Sequence, residues 1–291
     1  MVCAVLGAIA FSGKAIIVKL AYRYGVDAVT LIMLRMLFAL PLFLIMAWWA
    51  GRGKPALTLH EWLGVIALGF CGYYLSSYLD FAGLSYISAG LERLILYLNP
   101  TLVLALGWLL YKKKASRNQL LGLAISYAGV MLVFGMELYA NGAGGSKVWW
   151  GATLVFMSAV SYAIYLVYSA QFVQRLGSLR LVGWATTFAC LFCIAQFVLL
   201  RPLSAANVAQ PVIWLSVLNA TLCTALPVLL VMLAIERLGA ATVAQTGMIG
   251  PLSTILMGVW LLDEALTPVM VVGTVLVLLG IYVFTYKSQK R

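Results

Sequence analysis

The chain has 291 residues, of which 64% are hydrophobic and 9% charged, with a mean hydropathy of +1.05. Soluble domains carry about 25% charged residues, so a water-soluble fold is excluded and a polytopic membrane protein is the class that remains. The net charge of +11 does not argue for nucleic acid, because most basic residues sit in short connections between apolar runs.

Ten spans read out in chain order, near 2–21, 27–50, 61–81, 88–111, 117–137, 148–173, 179–200, 209–236, 239–262 and 267–286. Glycine, proline or charge punctuates nearly every break, as in Gly51-Arg52-Gly53-Lys54-Pro55. The first run lacks a basic leader and a cleavage site and is interrupted by Ser12 and Lys14, so it is a span rather than a signal peptide. Pro202–Ile235 is too long for one span; a loop through Ser204–Pro211 takes its first part, and Trp214 marks an interfacial entry to the eighth helix. Nothing alternates in the ~10-residue units of a β-barrel. The predicted fold is therefore all-α, with ten transmembrane helices.

A shift of 151 residues lays the chain on itself. Asn99-Pro100 falls on Gly250-Pro251, Gly107 on Gly258, Lys113 on Glu264, Gly122 on Gly273 and Gly129 on Gly280. Arg23-Tyr24-Gly25 likewise matches Arg175-Leu176-Gly177 at an offset of 152. The unit is five helices, which divides the chain into residues 1–140 and 148–291. Five is odd, so the second copy enters the membrane from the opposite face. Inverted repeats of this kind build alternating access around a site near mid-membrane. With both termini in the cytoplasm, the inner loops and tail hold twelve basic residues (Arg52, Lys54, Lys112, Lys113, Lys114, Arg117, Arg175, Arg180, Arg237, Lys287, Lys290 and Arg291). The outer loops and ends then hold four, Lys19, Arg23, Lys147 and Arg201, and the imbalance sets the orientation.

This pattern resembles the drug/metabolite transporter superfamily, in particular its EamA-type ten-helix members. Those carry in each half a helix of the form Pro-x-x…Trp-Leu-Leu-x-x-Glu, followed by a helix with two glycines seven apart. Gly250-Pro251, Trp260-Leu261-Leu262, Asp263-Glu264, Gly273 and Gly280 fit in the second half. Asn99-Pro100, Trp108-Leu109-Leu110, Gly122 and Gly129 fit in the first, which departs at Lys113, where glutamate is expected. The resemblance implies a secondary transporter, an exporter of metabolites in a bacterial-type inner membrane.

Ionisable groups inside spans are costly, by about 2.5–3.5 kcal/mol at the centre, so each needs a reason. Lys14 lies mid-helix just after Ser12; its ammonium either receives a substrate carboxylate or pairs with an acid on a neighbouring helix. Glu92 shares a helical face with Leu96 and Asn99 and is a candidate proton carrier. Arg93 is close enough to the outer boundary to snorkel, or else joins the site. Arg35 and Asp80 complete the set, three cations and two anions, all from the first half. Tyr78 and Tyr97 from the first half, and Tyr162, Tyr165 and Gln245 from the second, are expected to line the same pocket. Pro100, Pro227, Gly250 and Pro251 interrupt helices and are candidate hinges.

Cys190-x-x-Cys193 has redox or metal spacing, but the one histidine, His60, is in a distant loop. The five cysteines read as small apolar filler, and no metal or cofactor is expected. Phosphate-loop and hydrolase motifs do not occur, so any coupling comes from an ion gradient, protons being the candidate, or from the substrate's own gradient. The expected partners are a small-molecule substrate and the lipid bilayer, with the protein a monomer or homodimer. The one unpaired cation leans the substrate toward an amino acid or other carboxylate. The alternatives are a multidrug or cation exporter of the same fold, and a non-transporting membrane sensor.

Overall fold

The structure, a computed structural model, describes residues 2–111, 116–141, 145–231 and 249–286. Its helices are α1 (Val2–Tyr22), α2 (Ala28–Gly51), α3 (Leu59–Leu84), α4 (Ala89–Leu96 and Asn99–Tyr111), α5 (Arg117–Asn141), α6 (Gly145–Leu176), α7 (Ser178–Leu200), α8 (Gln210–Val231), α9 (Ile249–Leu262) and α10 (Pro268–Tyr286). There is no strand among the described residues. Seven of these helices, α2 to α8, are long and apolar enough to cross a bilayer. The end of the expected eighth span, the start of the ninth, and Lys112–Lys114 lie outside the described residues.

Local chemistry sets the helix ends. Asp27 accepts hydrogen bonds from the amides of Val29 and Thr30 and starts α2; Thr58 and Glu61 form a reciprocal capping box on α3; Ser88 caps α4. Gly25 after α1 and Gly177 after α6 both adopt positive φ, 75° and 80°, so the matched Arg-x-Gly segments make the same left-handed turn in each half.

Copies of the same helix pack against one another in opposite directions. On α5 and α10, a Cβ added at Gly129 would lie 2.6 Å from the Gly273 carbonyl, and one at Gly280 would lie 2.5 Å from the Gly122 carbonyl. Rising numbers on α5 thus meet falling numbers on α10, and each glycine of one copy touches the counterpart of the other. The pair α2 and α7 repeats the arrangement, with Met36 against Cys190 and Ala47 against Gly183. Antiparallel copies related in this way make the fold two inverted five-helix repeats. Small residues allow the backbones to approach, and bulky side chains turn outward: Trp260 is 84% and Leu199 82% exposed, an apolar surface suited to lipid.

Three irregularities interrupt the spans. The expected unbroken fourth helix stops at Leu96 and restarts at Asn99. Pro100 has no amide hydrogen for the carbonyl of Leu96, four residues earlier, so the ladder fails there. A π-helical turn widens α3 at Phe70–Leu75, and another widens α8 at Thr221–Ala225. Their first residues are one repeat apart (221 − 70 = 151). At and beside the widened turn of α3, two carbonyls also accept from α6: Ser161 donates its hydroxyl to Cys71 O and Ser158 to Ser76 O, each at 2.7 Å. Pro227 stands two residues beyond the second π turn.

Candidate functional site

The irregular segments surround a cavity of about 550 Å³. Its walls come from α1, α2, α3 and α4 of the first half and from α6, α7 and α8 of the second. Six pairs of lining residues are repeat counterparts, each separated by 151: Phe11 and Tyr162, Arg35 and Thr186, Gly72 and Cys223, Tyr73 and Thr224, Ser77 and Val228, Asp80 and Val231. The cavity therefore follows the internal symmetry in position and breaks it in chemistry. Where the first half places Arg35 and Asp80, the second places Thr186 and Val231.

The charged groups divide into two kinds. Lys14 donates to Asp80 Oδ2 at 2.5 Å and stands 4.0 Å from Glu92 Oε1, one ammonium facing two acids. Asp80 is 1% exposed and Glu92 fully buried, so Lys14 offsets much of the cost of holding carboxylates away from water. Arg93 donates to Ser12 Oγ at 3.1 Å and lies 5.7 Å from the Tyr97 ring. The Ser12 hydroxyl in turn shares its one hydrogen between Ala8 O and Gly250 O, tying α1 to α9. Arg35 has no carboxylate within ion-pair distance among the described residues; its guanidinium lies over Phe81 at 4.6 Å and reaches only the Met36 sulfur.

Of the residues expected at the site, Lys14, Arg93, Tyr97, Asn99 and Tyr162 line the cavity. Ser12 and Glu92 stand behind the wall as partners of Arg93 and Lys14. Tyr78 packs in the core formed mainly by α1, α2 and α7 rather than on the wall. Tyr165 is buried behind Tyr73, hydroxyl to hydroxyl at 3.2 Å, with its ring stacked on Tyr162. Gln245 lies outside the described residues. The expectation that Glu92 and Asn99 share a face is corrected: Arg93, Leu96, Tyr97 and Asn99 face the cavity and Glu92 does not. A 3.6-residue register cannot be carried across the break at Tyr97-Leu98. Arg93 likewise turns to Ser12 instead of snorkelling outward.

Sequence reasoning did not assign Arg35 and Asp80 to the wall, although their charge marked both, and it missed Tyr73, Ser76, Ser77, Thr186, Cys223 and Thr224. The neutral members carry no signal of their own. Projecting the first-half positions forward by 151 recovers Thr186, Cys223 and Thr224.

At the end of the bundle that carries Asp27, the motif glutamate has a definite role. Glu264 Oε1 accepts the Ala89 amide at 2.9 Å, while Glu137 accepts the amide and hydroxyl of Ser88. Two carboxylates, one from each half, thus hold the positive N-terminal end of α4.

The sequence model of the EamA-like transporter family matches residues 1–135 and 149–286, two copies that together span nearly the whole chain. The chain belongs to the EamA-like transporter family. Relatives agree. It is 31% identical over 282 residues to a protein of Bacillus subtilis (strain 168) named Uncharacterized transporter YcbK, covering 92% of this chain and 86% of that one. It is 24% identical to an uncharacterized transporter of Archaeoglobus fulgidus, covering 96% and 95%. A solved crystal structure superposes with a TM-score of 0.65 at 17% identity over 99% of this chain and 97% of the other, which shows a shared fold. The protein is thus a multi-pass membrane transporter of the EamA type.

Proposed function

We propose that this EamA-type transporter exports a small carboxylate-bearing metabolite, an amino acid being the class that fits best, across a bacterial-type inner membrane with both termini in the cytoplasm. The observation that carries the reading is the one-sided charge of the shared cavity. Lys14, Arg35 and Arg93 face or back it with Asp80 and Glu92, three positive and two negative, all from one half, against neutral counterparts in the described part of the other. One substrate carboxylate answers that surplus cation (3 − 2 = +1). Tyr97, Asn99 and Tyr162 supply polar and aromatic contacts, and Tyr165 braces the wall from behind.

Alternating access follows from inverted halves rocking about the cavity, with flexing at the α4 break before Pro100, at the π turn before Pro227 and at Gly250-Pro251. Lys14 with Asp80 and Glu92 is also the place for a coupling proton: with one proton on Glu92 the trio is neutral, and without it the trio carries one negative charge. Coupling of this kind makes substrate movement depend on a pH gradient.

The test is counterflow in proteoliposomes containing the purified protein and a panel of labelled amino acids and simple carboxylates. Saturable exchange of at least one, absent from empty vesicles, is the expected result. Exchange of organic cations alone would overturn the carboxylate reading, and no exchange of any solute would overturn transport of this class. An imposed pH gradient that leaves flux unchanged would remove the proton.

A further inference from the structure

Arg35 is the buried cation to which the charge balance above gives no partner. It sits on α2, 3% exposed, and lines the cavity. Lys14 is engaged by Asp80 and Glu92, and Arg93 reaches the Ser12 hydroxyl, although its Nε, like that of Arg35, has no acceptor among the described residues. Arg35 has an aromatic face and a thioether near it, and its Nε finds no acceptor. Burying a guanidinium so poorly answered is destabilising, because it gives up hydration without gaining charge-assisted hydrogen bonds.

The internal symmetry shows that packing does not require a cation here. The counterpart of Arg35 is Thr186, which lines the same cavity from α7 and satisfies its hydroxyl within its own helix on Val182 O at 2.6 Å. One fold thus builds this position twice, once with a small self-satisfied side chain and once with an unanswered charge. Among the described residues nothing answers Arg35, so its donors are open to a group that enters the cavity.

We infer that Arg35 is the anion receptor of the cavity, binding the substrate's carboxylate through its planar N–H donors, while Lys14 serves to hold Asp80 and Glu92. This rests on the carboxylate reading above. A guanidinium suits the task, since it presents paired donors in the geometry of a carboxylate and stays charged at any physiological pH.

The experiment is a thermal-shift titration of the purified full-length protein with each amino acid and with its α-amide, which lacks the carboxylate. Wild type, Arg35→Gln and Arg35→Lys are compared. At least one amino acid is expected to stabilise wild type, with its amide binding about 10- to 100-fold more weakly. Arg35→Gln is expected to weaken the amino acid to the level of the amide, and Arg35→Lys to recover part of the difference. An Arg35→Gln protein that keeps the full preference for the acid overturns the assignment while leaving carboxylate transport standing. Should neither amino acids nor simple carboxylates bind wild type, the carboxylate reading falls and this inference with it. If Arg35→Gln does not fold, phenylglyoxal labelling of wild type, resolved by peptide mass spectrometry, decides the point. The acid should slow modification of Arg35 several-fold and the amide should not; an unchanged rate overturns the assignment.

Discussion

Ser126 on α5 donates its hydroxyl to the carbonyl of Val277 on α10 at 3.4 Å, and the two residues are one repeat length apart (277 − 126 = 151). A residue that touches its own counterpart lies on the axis relating the copies. Gly122, Gly129, Gly273 and Gly280 flank that point and cross-contact in pairs, so the axis passes through the close contact of α5 with α10.

Side chains added on this axis are expected to force α5 and α10 apart. Gly280→Leu should lower stability by about 1–3 kcal/mol, the usual cost of overpacking. Gly107→Ala, where an added Cβ meets nothing within 4 Å, should instead be neutral or stabilising by up to about 1 kcal/mol, because alanine loses less backbone freedom in a helix. Thermal unfolding in detergent compares the two.

Lys14→Met removes the one ammonium that answers Asp80 and Glu92. The expected loss is about 3–5 kcal/mol, since the carboxylates stay buried without their partner. Adding Asp80→Asn should restore part of it. A double-mutant cycle on thermal stability reads the coupling, and two losses that simply add would show no interaction between the residues.

Asp27 lies between α1 and α2, outside the spans. Partial burial pushes its carboxyl up, but hydrogen bonds from Thr30 and Arg201 outweigh that and hold it below the usual carboxylate range. A folded value below the unfolded one means that the contribution is full above about pH 3.9 and is lost as pH falls through the folded value. Asp27→Asn should therefore cost melting temperature at pH 7 and progressively less toward acid, until the two proteins converge. Both Asp27 and Arg201 are well exposed, which keeps the effect small.

Glu264→Ala removes the acceptor of the Ala89 amide and a negative charge from the N-terminal end of α4. Losses of this kind cost about 0.5–2 kcal/mol. Faster hydrogen exchange at the amides of Ala89–Leu91, with the rest of the protein unchanged, is the expected signature. Equal protection in the variant would show that Glu137 and Ser88 suffice.

The ten spans and their doubling are legible in the sequence because hydropathy and the spacing of Gly122, Gly129, Gly273 and Gly280 are local signals that survive in each copy. Lys14 and Asp80 are legible as costly charges, and their pairing is one of the two roles open to Lys14. The facing of Glu92 is not legible, because it depends on a helix that breaks two residues before Asn99. Nor are the π turns; that of α3 is met by hydroxyls of Ser158 and Ser161 on another helix, a contact that no local pattern shows. Arg35 shows in the sequence as a charge within a span; its isolation emerges once the positions of Lys14, Asp80 and Arg93 are known.

The π turns of α3 and α8 also date themselves. Each wider turn takes in an extra residue relative to a regular helix, and both start at the same place in the five-helix unit. An insertion made separately in each half would have had to strike the same site twice. The simpler history puts the extra residue in a single ancestral gene, before it was doubled, so the wider turn beside the cavity is older than the two-part protein itself.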